Sequence, residues 1–192
     1  EGALEAHPGR LRAIAVVDPD VPDVELDRMA ILGFVGIRLN LIGRDPDDYT
    51  TSEWQRLFLR LVSRRWQVEI QCGFEDLAEI VPVIAGSGVT VVIDHFGLPQ
   101  GGIDPVKPSH RDILDLLGVL STLWVKLSAP YRSGLDATQS AASFAHLRRA
   151  CGGIDRFVWG SDWPHTQHEA STTYAGQIAQ LTDLVPDRTE RA

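Results

Sequence analysis

The chain alternates between short apolar runs of β-branched character and longer stretches whose apolar residues recur every three or four positions. The short runs are Leu11 to Val17 (LRAIAVV), Phe34 to Leu41 (FVGIRLNL), Val68 to Cys72 (VEIQC), Val89 to His95 (VTVVIDH), Leu123 to Leu127 (LWVKL) and Phe157 to Gly160 (FVWG). Each predicts a buried strand. Helical patterns follow them: Val24 to Leu32, stopped by Gly33; a segment opened by Ser52; Leu77 to Ala85, followed by Gly86 and Gly88; Ser109 to Leu120; Thr138 to Ala150, closed by Gly152-Gly153; and Thr172 to Leu184. Ser52 is placed to cap its helix, with Trp54, Leu57, Phe58, Leu61 and Val62 spaced to face a core.

Strand then helix, six times over, is the βαβ pattern, and it predicts a parallel sheet covered on both faces. An open doubly wound sheet and a (β/α)8 barrel both satisfy it. The dinucleotide-type glycine fingerprint is missing after the first strand, where the chain reads DPDVPD. Polar residues at most strand ends favour the barrel, which comes two strands short of eight.

A chain of 192 residues can bury ~70% of the surface its unfolded form exposes, so a sizeable core is within reach. The net charge of −8, with no basic stripe, argues against nucleic acid as a partner. It leaves room for an anionic small molecule held by a few local arginines. No apolar run approaches membrane-spanning length and there is no signal-peptide pattern, so no membrane and a cytoplasmic location are the expectation. Cys72 and Cys151, far apart, read as small buried hydrophobes rather than a disulfide or a zinc pair.

In a barrel all strand ends of one sense open into one mouth, so the polar residues there are the candidates for chemistry. They are Arg38 and Asn40, with Arg44 in the next loop; Gln71; Asp94-His95, followed by Gly97; Lys126, then Ser128, Tyr131 and Arg132; and Asp162 with His165 in the loop after the sixth strand. Taken singly, Arg38 or Lys126 reads as half of a structural ion pair, and Tyr131 as packing. Strand alternation lets only one of Asp94 and His95 face the interior, which makes His95 the candidate and Asp94 its partner or a cap. His7, His110 and His146 read as solvated, and His168 stays open.

Brought together, such groups suit hydrolysis: a carboxylate as base toward water, an imidazole to orient that water or polarise a carbonyl, and guanidiniums to grip a carboxylate. His95 and Asp162 could instead ligate a divalent metal. Two ligands are fewer than a catalytic zinc site uses, and no HxH or HExxH supplies the rest. No cofactor is therefore required by this reading, and zinc is the alternative.

GIRLNL, VVIDHFG, WVKLSAPYR and FVWGSDWPH resemble successive motifs of the amidohydrolase superfamily, in the branch that contains 2-pyrone-4,6-dicarboxylate lactonase and related TIM-barrel hydrolases. The resemblance implies an α/β fold, a distorted (β/α)8 TIM barrel of the metal-dependent hydrolase type, as one domain over residues 1–192. It implies that Asp162 activates the hydrolytic water and that His95 is the histidine of the family's Asp-His-x-Gly motif. Arg38, Arg44 and Arg132 fall where the lactonase binds substrate carboxylates, and Gln71 and His165 would line the same site. The implied substrate is a lactone or similar cyclic ester or amide bearing a carboxylate. The alternatives are a zinc-dependent decarboxylase of the same fold and an inactive remnant that associates with itself through open edge strands.

Two departures stand out. The family's first strand bears His-x-His, and this chain has none, so the resemblance implies that the first two βα units are absent and the barrel incomplete. Leu98 stands where the dicarboxylate lactonase carries an arginine, which points to a less charged lactone or ester.

Overall fold

The computed structural model describes residues 1–191. Six strands lie side by side in chain order, every neighbour parallel: β1 (Ala13–Ala15), β2 (Phe34–Asn40), β3 (Gln67–Gln71), β4 (Thr90–Ile93), β5 (Leu123–Leu127) and β6 (Phe157–Trp159). Helix α1 (Gly2–Ala6) precedes them. The crossovers are α2 (Asp23–Leu32), α3 (Ser52–Ser63), α4 (Leu77–Ala85), α5 (Pro108–Val119) and α6 (Ala137–Cys151), and α7 (Tyr174–Leu184) follows β6. A doubly wound sheet reverses its strand order at a switch point; this one never does. The wall is an incomplete (β/α)8 barrel, with β1 and β6 unpaired with each other among the described residues.

Strand alternation divides the wall into two unlike faces. Ile37, Leu39, Val68, Ile70, Val91, Ile93, Val125 and Leu127 join one apolar cluster with Leu57 and Phe58 of α3, Leu77 of α4, Ile113 of α5 and Leu147 of α6. That core lies between the sheet and its helices. The intervening residues, Arg38, Glu69 and Lys126 among them, point to the barrel interior, which is polar. Gly36 shares this inner face with Arg38, and a glycine is needed there because a Cβ would stand 2.4 Å from the Gln67 carbonyl oxygen.

Several elements differ from the sequence expectation. β1 keeps only three of the seven residues in its apolar run, since it pairs on one side alone; Val16 is 70% exposed. Ser52 is the first helical residue of α3 rather than its cap: Thr51 precedes it without a side-chain capping bond. Val62 turns outward while Trp54, Leu57, Phe58 and Leu61 are buried. α6 opens with a capping box between Asp136 and Gln139.

His110, expected in solvent, is fully buried. It packs edge-on against Phe74 at 4.8 Å, accepts the Asp104 backbone N–H through Nδ1 and sits 3.0 Å from Glu75 Oε1 through Nε2. The helical turn Phe74–Asp76 ahead of α4 lies against α5 and closes over it. At the opposite end of the barrel from the mouth, the Arg156 guanidinium donates to the carbonyls of Leu117, Leu120, Leu123 and Cys151 at 2.6 to 3.1 Å. Among the described residues no helix is long and apolar enough to cross a membrane. Cys72 is buried and Cys151 partly so, both as free thiols.

Candidate active site

The inner face holds a ring of four charges from four strands. Arg38 Nη2 lies 2.6 Å from Asp94 Oδ2, and its Nη1 lies 3.9 Å from Glu69 Oε2. Lys126 Nζ lies 2.8 Å from both Glu69 Oε2 and Asp94 Oδ1. Each cation thus touches both anions. Asp94 has no exposure at all, and its oxygens are held by charge contact rather than by aligned hydrogen bonds. A carboxylate this deep is costly to bury without such partners. Arg38 is oriented further by Asn40 Oδ1 at 2.7 Å and Gln71 Oε1 at 2.8 Å.

Asp94 is the first correction to the expected site. Alternation was to keep it and His95 on opposite faces, yet both reach the interior. The strand ends at Ile93, and the backbone then enters the left-handed region at His95 (φ 51°), Phe96 (59°), Gly97 (81°) and Leu98 (54°). Asp94 is still extended and, following the outward-facing Ile93, points inward by the strand's own alternation; His95 joins it because the left-handed turn brings its side chain back to the same side. Gly97 permits the turn, since a Cβ there would lie 2.6 Å from the Phe74 ring. Leu98 is buried and brings no charge to the mouth.

His95 is nearly fully buried. Its Nδ1 lies 2.8 Å from Ser128 Oγ, and its Nε2 lies 3.5 Å from Arg38 Nη2 and 3.8 Å from Asp162 Oδ1. Burial lowers its pKa to about 4, against the opposing pull of Asp94 and Asp162. The imidazole is therefore neutral at ordinary pH.

Asp162 leaves β6 through Gly160 and Ser161 with φ 58°. Its Oδ2 accepts two hydrogen bonds, from Tyr131 Oη at 2.5 Å and from Arg132 Nε at 2.7 Å. Its Oδ1 faces His95. Burial raises the carboxyl pKa, but the Tyr131 and Arg132 hydrogen bonds outweigh it, and the net effect holds Asp162 below the usual carboxylate range. Tyr131 moves the other way: burial and the adjacent carboxylate keep its phenol from ionising.

The remaining expected residues are distributed unevenly. Arg132 is engaged by Asp162 and, through Nη2, by the Thr166 carbonyl at 3.3 Å. Arg44 is exposed in the loop after β2, with no side-chain partner among the described residues. It lines a depression of about 180 Å³ with Arg38, Asn40, Tyr49 and Trp54. His165 is buried, but its Nε2 meets the Ser161 carbonyl at 3.1 Å rather than Asp162. His168 packs its ring 4.8 Å from that of Tyr131.

Sequence reasoning missed two contributors. Glu69 was passed over inside a buried strand, although a carboxylate in VEIQC is itself an anomaly that asks for a partner. Tyr131 was taken as packing, and its hydroxyl grips Asp162. Of the eight non-glycine residues with left-handed φ, seven lie in the loops after β4, β5 and β6, around this site. Such backbone is costly and gathers where side chains must be aimed.

His95 and Asp162, the pair named for zinc, bring two donors, and one oxygen of Asp162 is already shared by two hydrogen bonds. Among the described residues no group of three or more His, Cys, Asp or Glu side chains is placed to hold a metal ion. The residues present do not fit the metal.

A family model described as amidohydrolase matches residues 1–192. The chain is 30% identical over 176 residues to a 2-pyrone-4,6-dicarboxylate hydrolase of Comamonas testosteroni, covering 85% of this chain and 56% of that protein. It is 28% identical over 172 residues to a 4-sulfomuconolactone hydrolase of Hydrogenophaga intermedia, covering 85% of this chain and 54% of that protein. The chain thus spans just over half the length of these curated relatives. The crystal structure of a probable 2-pyrone-4,6-dicarboxylic acid hydrolase from Acinetobacter baumannii, with citric acid bound, superposes with a TM-score of 0.91 at 33% identity, over 99% of this chain and 72% of that one.

Proposed function

The chain belongs to the amidohydrolase family, and from that membership we propose that it hydrolyses a lactone, or a similar cyclic ester or amide, that bears a carboxylate. One observation carries the reading: Asp162 has one oxygen fastened and the other facing a neutral, buried imidazole 3.8 Å away. The lactone hydrolases among its relatives support the choice of bond.

In this mechanism Oδ1 of Asp162 takes a proton from water as the water oxygen attacks the ring carbonyl carbon. In the tautomer with the proton on Nε2, in which Ser128 donates to Nδ1, neutral His95 gives a hydrogen bond to the developing oxyanion. Collapse breaks the ring C–O bond. The proton held by Asp162 passes to the leaving alkoxide, and the ring opens to a hydroxy acid. The low carboxyl pKa keeps Asp162 ionised and ready before each turnover.

Arg44, exposed and with no side-chain partner among the described residues, offers the grip for the substrate's carboxylate, with Arg38 beside it but already paired with Asp94 and Glu69. Arg132 is engaged by Asp162, and Leu98 adds no cation. This count of free charge favours a substrate with fewer anionic groups than a pyrone dicarboxylate.

The test is Asp162→Asn in the native protein, assayed with 2-pyrone-4,6-dicarboxylate and 4-sulfomuconolactone. The amide keeps the shape and removes the base, so kcat falls about 10²- to 10⁴-fold on whichever lactone the wild type opens. The melting temperature stays near wild type. Unchanged turnover would overturn the assignment.

A further inference from the structure

The geometry points to Tyr131 as a positioning residue that fixes the rotation of the Asp162 carboxylate, so that one chosen oxygen acts on water. The inference rests on the reading of Asp162 as base and adds to it a division of labour between its two oxygens.

Tyr131 and Arg132 are adjacent on the short helical turn Pro130–Ser133 that follows β5. The turn is entered through Ala129, fully buried with φ 46°, and closed by the Arg132 N–H on the Ala129 carbonyl at 3.0 Å. Both side chains reach across to the next loop and both donate to the same atom, Asp162 Oδ2, at 2.5 and 2.7 Å. Neither touches Oδ1. A carboxylate with two donors on one oxygen cannot exchange its oxygens by rotation without breaking both bonds.

The two donors differ in charge, and that difference gives each a task. Arg132 brings a cation and favours the ionised form. A second cation on the same oxygen would weaken the base further. A phenol fixes direction without adding a formal charge. The Tyr131 ring is itself held from the side, with the His168 ring at 4.8 Å and the His165 ring at 6.4 Å. The loop carrying the base thus helps hold the residue that aims it.

The decisive variant is Tyr131→Phe, which keeps the ring and removes the donor. Two readouts are taken. The first is a carboxyl NMR titration of aspartate-labelled protein, with the Asp162 resonance assigned by Asp162→Asn. The second is the pH profile of kcat and KM on the test lactones. Loss of the tyrosine bond moves the Asp162 midpoint, and with it the acid limb of kcat, to higher pH. It lowers kcat about 10-fold and leaves KM near wild type, because the hydroxyl meets Asp162 and not the substrate. A Tyr131→Phe protein with a lower melting temperature but unmoved midpoint and acid limb overturns the inference.

Ultraviolet titration of phenolate in Asp162→Asn gives an independent reading. Tyr131 ionises at lower pH once the carboxylate is gone, and an unchanged curve also overturns it. A dead Asp162→Asn beside an unaltered Tyr131→Phe removes only the tyrosine's role. Full turnover in Asp162→Asn removes the base itself.

Discussion

The two ends of the sheet solve the same problem differently. At the end where helices feed into strands, left-handed backbone is taken by Gly33, Gly88 and Gly152, with Arg65 the exception. At the end where strands feed into the mouth, it is taken by His95, Phe96, Leu98, Ala129, Asp162, His165 and Gln167 alongside glycines. A turn that only has to reverse the chain is cheapest with no Cβ. A turn that has to aim an imidazole or a carboxylate cannot drop its side chain, so it accepts the steric cost. Charge divides the same way. At the lower end Arg156 holds together two helix ends and the start of a strand by binding backbone carbonyls. At the mouth the ionised groups bind one another.

If this contrast is right, substitutions at the mouth change chemistry and pH response, and those at the lower end change stability alone. The largest effect is expected at His95. Its folded pKa of about 4 lies below the ~6.5 of an exposed histidine. Between those values the unfolded chain binds a proton that the native site refuses. The stability contributed is full above about pH 6.5 and is lost as pH falls toward about 4, up to about 3 kcal/mol. His95→Gln removes that slope, which denaturant titrations across the window will show; an equally steep slope in the variant contradicts the buried neutral ring.

A smaller effect is expected at Arg156. Arg156→Ala removes a donor from four carbonyls, of which Leu120 keeps the Leu123 N–H, and lowers unfolding free energy by about 2 kcal/mol. kcat measured well below the melting temperature stays at the wild-type value, and a fall in kcat there would blur the division between the two ends. The smallest is at Arg65, exposed with φ 56° and with no side-chain partner among the described residues. Arg65→Gly brings it into line with its glycine counterparts and stabilises by about 0.5 to 1 kcal/mol. A loss of stability would mean that its side chain makes a contribution the fold does not reveal.

The wall was legible from sequence because buried parallel strands are written as unbroken apolar runs, and VTVVI or LWV admits few other readings. Strand ends were less legible. β1 lost its outer residues for want of a second neighbour, a matter of topology that its own residues do not encode. Among the site residues, His95 Nε2 and Asp162 Oδ1 lie 3.8 Å apart. Alternation from Ile93 does send Asp94 inward; what the sequence does not show is the left-handed turn at His95, which brings the histidine to the same side. His110 was misread because a lone histidine in a polar helix start looks solvated until the turn that covers it is known. Tyr131 could not be separated from a packing tyrosine, since its role depends on a loop some thirty residues on. Glu69 and Lys126 did carry a signal: a single charge inside an apolar strand predicts its opposite on a neighbouring strand.

The ring of Arg38, Glu69, Asp94 and Lys126 has a consequence for assembly. Its members come from β2, β3, the end of β4 and β5, and no anion in it meets a cation from its own strand. Slipping one strand by two residues would keep every apolar side chain facing outward, so the hydrophobic core alone would tolerate the mistake. The ring would not, because the slipped strand would carry its charge away and leave a largely buried partner such as Asp94 without its counter-charge. The four charges therefore favour the native alignment of the wall over one slipped by two residues.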